Sequence, residues 1–161
     1  MSPILLKMID REKIVQLIGE KLEKDMFLVD VSVNPMNVIQ VEVDSFSGLT
    51  IEQCVSISRH IEGNLDRETE DFALEVSSPG ADQPFKVPQQ YLKNLNREVE
   101  VMTQDGTILK GILTGSNPDG IVVHAKVKEK QEGSNRKILV EKDIPLPFSE
   151  IKKTRVIISF K

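Results

Sequence analysis

The chain has 161 residues, 39% apolar and 29% charged, with one cysteine, one tyrosine, no tryptophan and a net charge of −4 at neutral pH. This length suits one large or two small domains; the single Cys54 excludes an internal disulfide and a thiolate metal cluster, and no run approaches the ~20 apolar residues of a membrane span. The charge is divided, with 7 Lys+Arg against 16 Asp+Glu in residues 1–85 (net −9) and 14 against 9 in residues 86–161 (net +5), so the two halves suit basic protein surfaces and phosphate respectively.

Met1 to Ile9 is broken by Lys7 and lacks a small-residue cleavage site, so a secretory leader is not expected and a reducing, cytoplasmic setting is. Asp10 caps an expected helix from Arg11 to Lys24, whose Ile14, Leu17, Ile18 and Leu22 form one stripe. Two extended runs follow, Met26 to Val33 and Val38 to Asp44, joined by the turn residues Asn34-Pro35-Met36-Asn37. Thr50 with Gln53 three residues on has capping-box spacing and opens a second helix, ending near Asp66, with Ile51, Cys54, Ile57, Ile61 and Leu65 as its buried side. Phe72, Leu74 and Val76 alternate with Ala73, Glu75 and Ser77 in a third strand. The order α-β-β-α-β predicts two helices on one face of a three-stranded mixed sheet, with the last strand in a parallel pairing. This order resembles KH-type RNA-binding folds, but no Gly-x-x-Gly clamp lies between helices here.

Ser77-Ser78-Pro79-Gly80 ends the third strand. Pro79 fixes φ for the second position of a tight turn, Gly80 supplies the positive φ of a type II turn, and Pro84 keeps Gln83 extended, so a stiff linker is expected between domains 1–84 and 85–161. A helical turn is expected at Pro88 to Leu92, then five short strands: Glu98 to Thr103, Thr107 to Gly115, Ile121 to Val127, Lys137 to Glu141 and Arg155 to Phe160. Such a series predicts a basic five-stranded SH3- or Sm-like β-barrel, closed so that no edge is exposed, with Phe148 and Ile151 plugging one end. Lys128 to Lys137 reads as a mobile loop, and Pro145 and Pro147 as breaks before the last strand. The fold class is therefore α+β, an acidic α/β domain followed by a small barrel.

Asp44, Gly48-Leu49-Thr50, Cys54 to Arg59, Leu65-Asp66, Leu74 to Gly80 with Asp82 and Pro84, and Pro147 to Arg155 together resemble the bacterial ribosome maturation factor RimP family over nearly the whole chain. The resemblance implies a non-enzymatic factor that binds the immature small ribosomal subunit and assists its late assembly near a basic protein of the decoding region and ribosomal RNA backbone. It implies no cofactor. Two positions depart from the family pattern: Gln83 stands where an arginine is usual, losing a bidentate guanidinium, and Asn96 stands where glycine is common, which asparagine tolerates at positive φ.

The partner-binding candidates are Arg59, Ser77, Ser78, Pro79, Gly80, Asp82, Gln83, Lys86, Lys152, Lys153 and Arg155. Lys126, Lys128, Lys130, Arg136, Lys137 and Lys142 form a further basic group interleaved with glutamates. Aromatic residues are few, which favours contact with a nucleic-acid backbone over base stacking. Neither His60 nor His124 has a sequence context tying it to Ser77 or Ser78, so a hydrolase reading is weak, and no metal-ligand spacing occurs. The other reading is an Sm-type RNA-binding regulator acting through the barrel alone. A monomer is expected, because a large first domain accompanies the barrel.

Overall fold

Asp10 caps α1 (Arg11–Gly19) through its side chain, which accepts from the Glu12 N–H. The computed structural model describes residues 9–66, 71–130, 132–133 and 135–158. They form α1, β1 (Met26–Val33), β2 (Val38–Ser45), α2 (Ile51–Gly63), β3 (Ala73–Ser77), α3 (Pro88–Lys93), β4 (Glu98–Thr103), β5 (Ile108–Asn117), β6 (Gly120–Lys130), β7 (Lys137–Pro147) and β8 (Ile151–Val156). The chain divides into two compact units, Met1–Pro79 and Gly80–Lys161. Counted on those units, 7 basic residues meet 15 acidic ones in the first (net −8) and 14 meet 10 in the second (net +4).

In the first unit the strand order is β1-β2-β3, with β1 antiparallel and β3 parallel to β2. This is the mixed sheet expected from a helix preceding the last strand, since a parallel partner needs a crossover. Alternation puts Ile39, Val41 and Val43 on one face of β2, where they pack with Ile14, Leu17 and Ile18 of α1 and Ile57 and Ile61 of α2. Each fully buried aliphatic side chain contributes about 1.5–3 kcal/mol. The hairpin turn is also as expected, with the Asn37 N–H donating to the Asn34 carbonyl at 2.9 Å and Asn37 at φ 57°.

Two details differ. α1 ends at Gly19 rather than Lys24, tightened by the Lys21 N–H donating to the Ile18 carbonyl, and Leu22 reaches the core from the following loop. On α2, Ile57, Ile61 and the following Leu65 are buried, but Cys54 is only half-buried and Ile51 is 84% exposed. Ile51 is the first helical residue, and at 3.6 residues per turn it points roughly 80–120° away from Ile57 and Ile61 around the helix axis.

The second unit is a five-stranded antiparallel sheet in the order β7-β6-β5-β4-β8. Val99 and Val101 of β4, Leu113 of β5, Val123 of β6 and Leu146 of β7 share a core with Tyr91 of α3, and Ile151 of β8 packs against it. The order is linear, so β7 and β8 are edges rather than members of a ring closed by pairing. That explains Pro145 and Pro147: they do not break the chain but lie inside β7, opposite Val122 and Gly120, because an edge strand tolerates a missing N–H. β8 starts at Ile151, four residues before the expected position, and the expected end at Phe160 lies outside the described residues. Nor does a loop begin at Lys128, since β6 runs to Lys130; positions 131 and 134 of the expected loop lie outside the described residues. A Cβ on Gly111 would stand 2.4 Å from the His124 carbonyl oxygen, so only glycine lets β5 and β6 cross so closely.

Phe148 plugs this core as expected, its ring 5.4 Å from that of Tyr91, and Phe85 stands edge-on to Tyr91 at 4.9 Å. The Tyr91 hydroxyl donates to Thr154 Oγ1 at 2.8 Å, and burial pushes its pKa up while that bond partly opposes the shift. Asn96 takes φ 70°, the left-handed backbone anticipated where asparagine replaces glycine.

Candidate functional site

Three surfaces collect the candidate residues. The first is the face of the β1-β2-β3 sheet turned away from the helices. Because side chains alternate, Gln40, Glu42 and Asp44 of β2 lie on that face. Asp30 is directly opposite Glu42, Phe27 opposite Asp44, Glu75 opposite Gln40, and Ser77 opposite Glu42. Carboxylates set directly across a strand pair disfavour each other in isolation and together present a negative field. The Phe27 and Phe46 rings meet at 5.0 Å at the Asp44 end of the hairpin.

Ser77 thus ends β3 beside Glu42, while Ser78 is exposed and Pro79 is half-buried. The expected type II turn does not form here, since Gly80 has no positive φ. The turn comes two residues later, with the Gln83 N–H donating to the Gly80 carbonyl at 3.0 Å and Ala81 and Asp82 at its corners. A Cβ on Gly80 would lie 3.1 Å from Cγ of Gln83 and 3.4 Å from Oδ1 of Asp82. Asp82 and Gln83 are exposed.

The second surface is a cleft of about 270 Å³ in the second unit, lined by Lys86, Lys152 and Lys153 together with Phe85, Tyr91 and Phe148. The Phe85 N–H donates to the Thr154 carbonyl at 2.7 Å, tying the segment before α3 to β8 and setting Lys86 beside the two lysines. Pro88 opens α3, and Gln90 Oε1 reaches back to the N–H groups of Lys86 and Val87, fixing the rim. Arg155 belongs elsewhere: it is opposite Glu100 across β4 and β8, with Nη2 3.4 Å from Glu100 Oε1, a cross-strand pair within the sheet. The part of Phe85 and Tyr91 in this wall escaped the sequence reading, although Phe148 did not; their signal is their spacing around the helix-opening Pro88.

The third surface is a shallow cleft of about 580 Å³ along α2, lined by Arg59 with Lys21, Ile51, Glu52, Val55, Ser56 and His60. Ile51, Val55 and Arg59 recur every four residues, a helical stripe separate from the buried one. His60 Nε2 is 3.1 Å from Glu20 Oε2, and His124 Nδ1 is 2.8 Å from Asp143 Oδ1, so both imidazoles sit against carboxylates. Burial raises the Cys54 pKa, which lowers its thiolate fraction and its reactivity. Among the described residues, no group of three or more His, Cys, Asp and Glu side chains is placed to hold a metal ion, and no helix is long and apolar enough to cross a membrane.

Comparison with known proteins adds an independent line. The profile of the RimP N-terminal domain matches residues 8–82. A ribosome maturation factor RimP from Porphyromonas gingivalis is 38% identical over 147 residues, covering 91% of this chain and 97% of that protein. Proteins of the same name from Christiangramia forsetii and Flavobacterium psychrophilum are each 34% identical over 152 residues, covering 93% of this chain and 99% and 98% of theirs.

Proposed function

This chain belongs to the ribosome maturation factor RimP family, and from that membership we propose that it is a non-enzymatic, cytoplasmic assembly factor that binds the immature small ribosomal subunit late in its maturation. The observation that carries the reading is that the similarity spans both units rather than one. It works by binding, as a monomer and without a cofactor. The acidic unit docks a basic ribosomal protein of the decoding region, with the carboxylate-rich sheet face and the Ser77–Pro79 segment as its contacts. The second unit, through Lys86, Lys152 and Lys153, meets ribosomal RNA backbone, where ammonium groups displace condensed counterions.

Such a factor does useful work only through differential affinity for the immature and mature particles, since equal binding shifts no equilibrium. A tenfold preference corresponds to about 1.4 kcal/mol of bias. Co-sedimentation with purified immature small subunits, mature small subunits and large subunits provides the test. Preferential binding to the immature small particle is expected; equal affinity for immature and mature forms would defeat the proposal.

A further inference from the structure

Pairing of β6 with β5 ends at the rung Ile112↔His124, whereas pairing with β7 continues for six more rungs, from Ala125↔Lys142 to Lys130↔Lys137. At about 3.3 Å per residue the β6–β7 ribbon runs on for roughly 20 Å past the last rung it shares with β5. Its two faces differ in charge. On one, Lys126, Lys128 and Lys130 alternate along β6 and face Glu141, Leu139 and Lys137 respectively. On the other, Val127 packs against the core and Glu129 is paired with Lys142.

Along the lysine face the charge grows outward. At the inner end His124 is bonded to Asp143, and Lys126 Nζ lies 3.9 Å from Glu141 Oε1, so the positive charges there are offset. At the outer end, Lys128, Lys130 and Lys137 surround Leu139, which is 65% exposed, and no carboxylate occupies a rung of that face. We propose that this outer face of the β6–β7 ribbon is a contact surface for an RNA sugar–phosphate backbone. The proposal deepens the functional reading above and rests on it for the source of the RNA.

The chemistry of the stripe selects this partner. Lysines on alternate residues of one strand make a line of point charges about 6.6 Å apart, which fits a linear polyanion better than an isolated carboxylate. The ribbon has no aromatic residue in 125–130 or 135–142, so it has nothing on which to stack bases, and readout of sequence is not expected. A twisted pair of strands also suits the wide, shallow groove of an RNA helix, whose rims are phosphates.

The test uses the full-length chain and two triple variants, K128Q/K130Q/K137Q and K128R/K130R/K137R, titrated against protein-free small-subunit ribosomal RNA over a range of salt. With three phosphate contacts removed, the slope of log affinity against log salt should become shallower by about 2 to 3, and affinity at low salt should fall at least tenfold. The arginine variant should retain the parental slope. Circular dichroism checks that the glutamine variant is folded. An unchanged slope in that variant, or failure of the parental chain to bind the RNA, overturns the proposal; so does a defect seen only with assembled particles, which would assign the stripe to a protein partner. A slope change on RNA combined with equal affinity for immature and mature particles would leave the ribbon contact standing and remove the assembly-factor reading instead.

Discussion

Gly80 does not take a left-handed backbone, and a Cβ there would meet Cγ of Gln83, an exposed side chain, at 3.1 Å. Pro79-Gly80 has the signature of a type II turn in the sequence, and only the backbone shows that the turn falls on Ala81 and Asp82. His124 is another residue whose environment depends on register, because Asp143 and Glu141 come from the neighbouring strand. The hydrogen bond to Asp143 raises its pKa, and the charges of Asp143 and Glu141 add to the effect. Since the folded value exceeds the unfolded one of about 6.5, the contribution to stability is present below that pH and is lost as pH rises through the folded value. A proton NMR titration should place the imidazole midpoint above 6.5, and Asp143→Asn should bring it back toward the ordinary value. No movement in that variant would mean the carboxylate is not the cause.

Among the elements, α2 was the most legible because its start is written in residue chemistry. Thr50 Oγ1 accepts from the Gln53 N–H at 3.1 Å, Gln53 Oε1 accepts from the Thr50 N–H at 2.9 Å, and Gln53 Nε2 donates to Glu23 Oε2 at 2.7 Å. Thr50→Ala should cost about 1 kcal/mol, read as a lowered urea midpoint with an unchanged slope. A shift within error would show that the helix is set by packing alone. The end of α1 was less legible: the apolar stripe continues through Leu22, so periodicity extends the helix, whereas Gly19 has the low propensity that lets it stop. β7 differs for the opposite reason: Pro145 and Pro147 read as breaks because a sequence does not say which strand will be an edge.

At the scale of the whole molecule, the order of elements and the division of charge were readable, because alternation, turn residues and charge sign are local properties. Which lysines share a face was not, since that requires knowing that β6 continues to Lys130 and pairs rung by rung with β7. Each unit has its own core, one around Ile39, Val43, Ile57 and Ile61 and the other around Val99, Val101, Leu113 and Val123. Ile39→Ala should therefore destabilise the first unit by about 2–5 kcal/mol, lowering amide exchange protection in β2 while leaving that in β6 unchanged. Equal loss in both strands would mean that the two cores melt as one. The aromatic stack in the second core has an optical consequence: with one tyrosine and no tryptophan in the chain, Tyr91 is the dominant intrinsic fluorophore. Its emission follows the melting of the second unit, while the first unit carries no tyrosine, so fluorescence and far-ultraviolet dichroism recorded on one sample distinguish sequential from concerted unfolding without any added label.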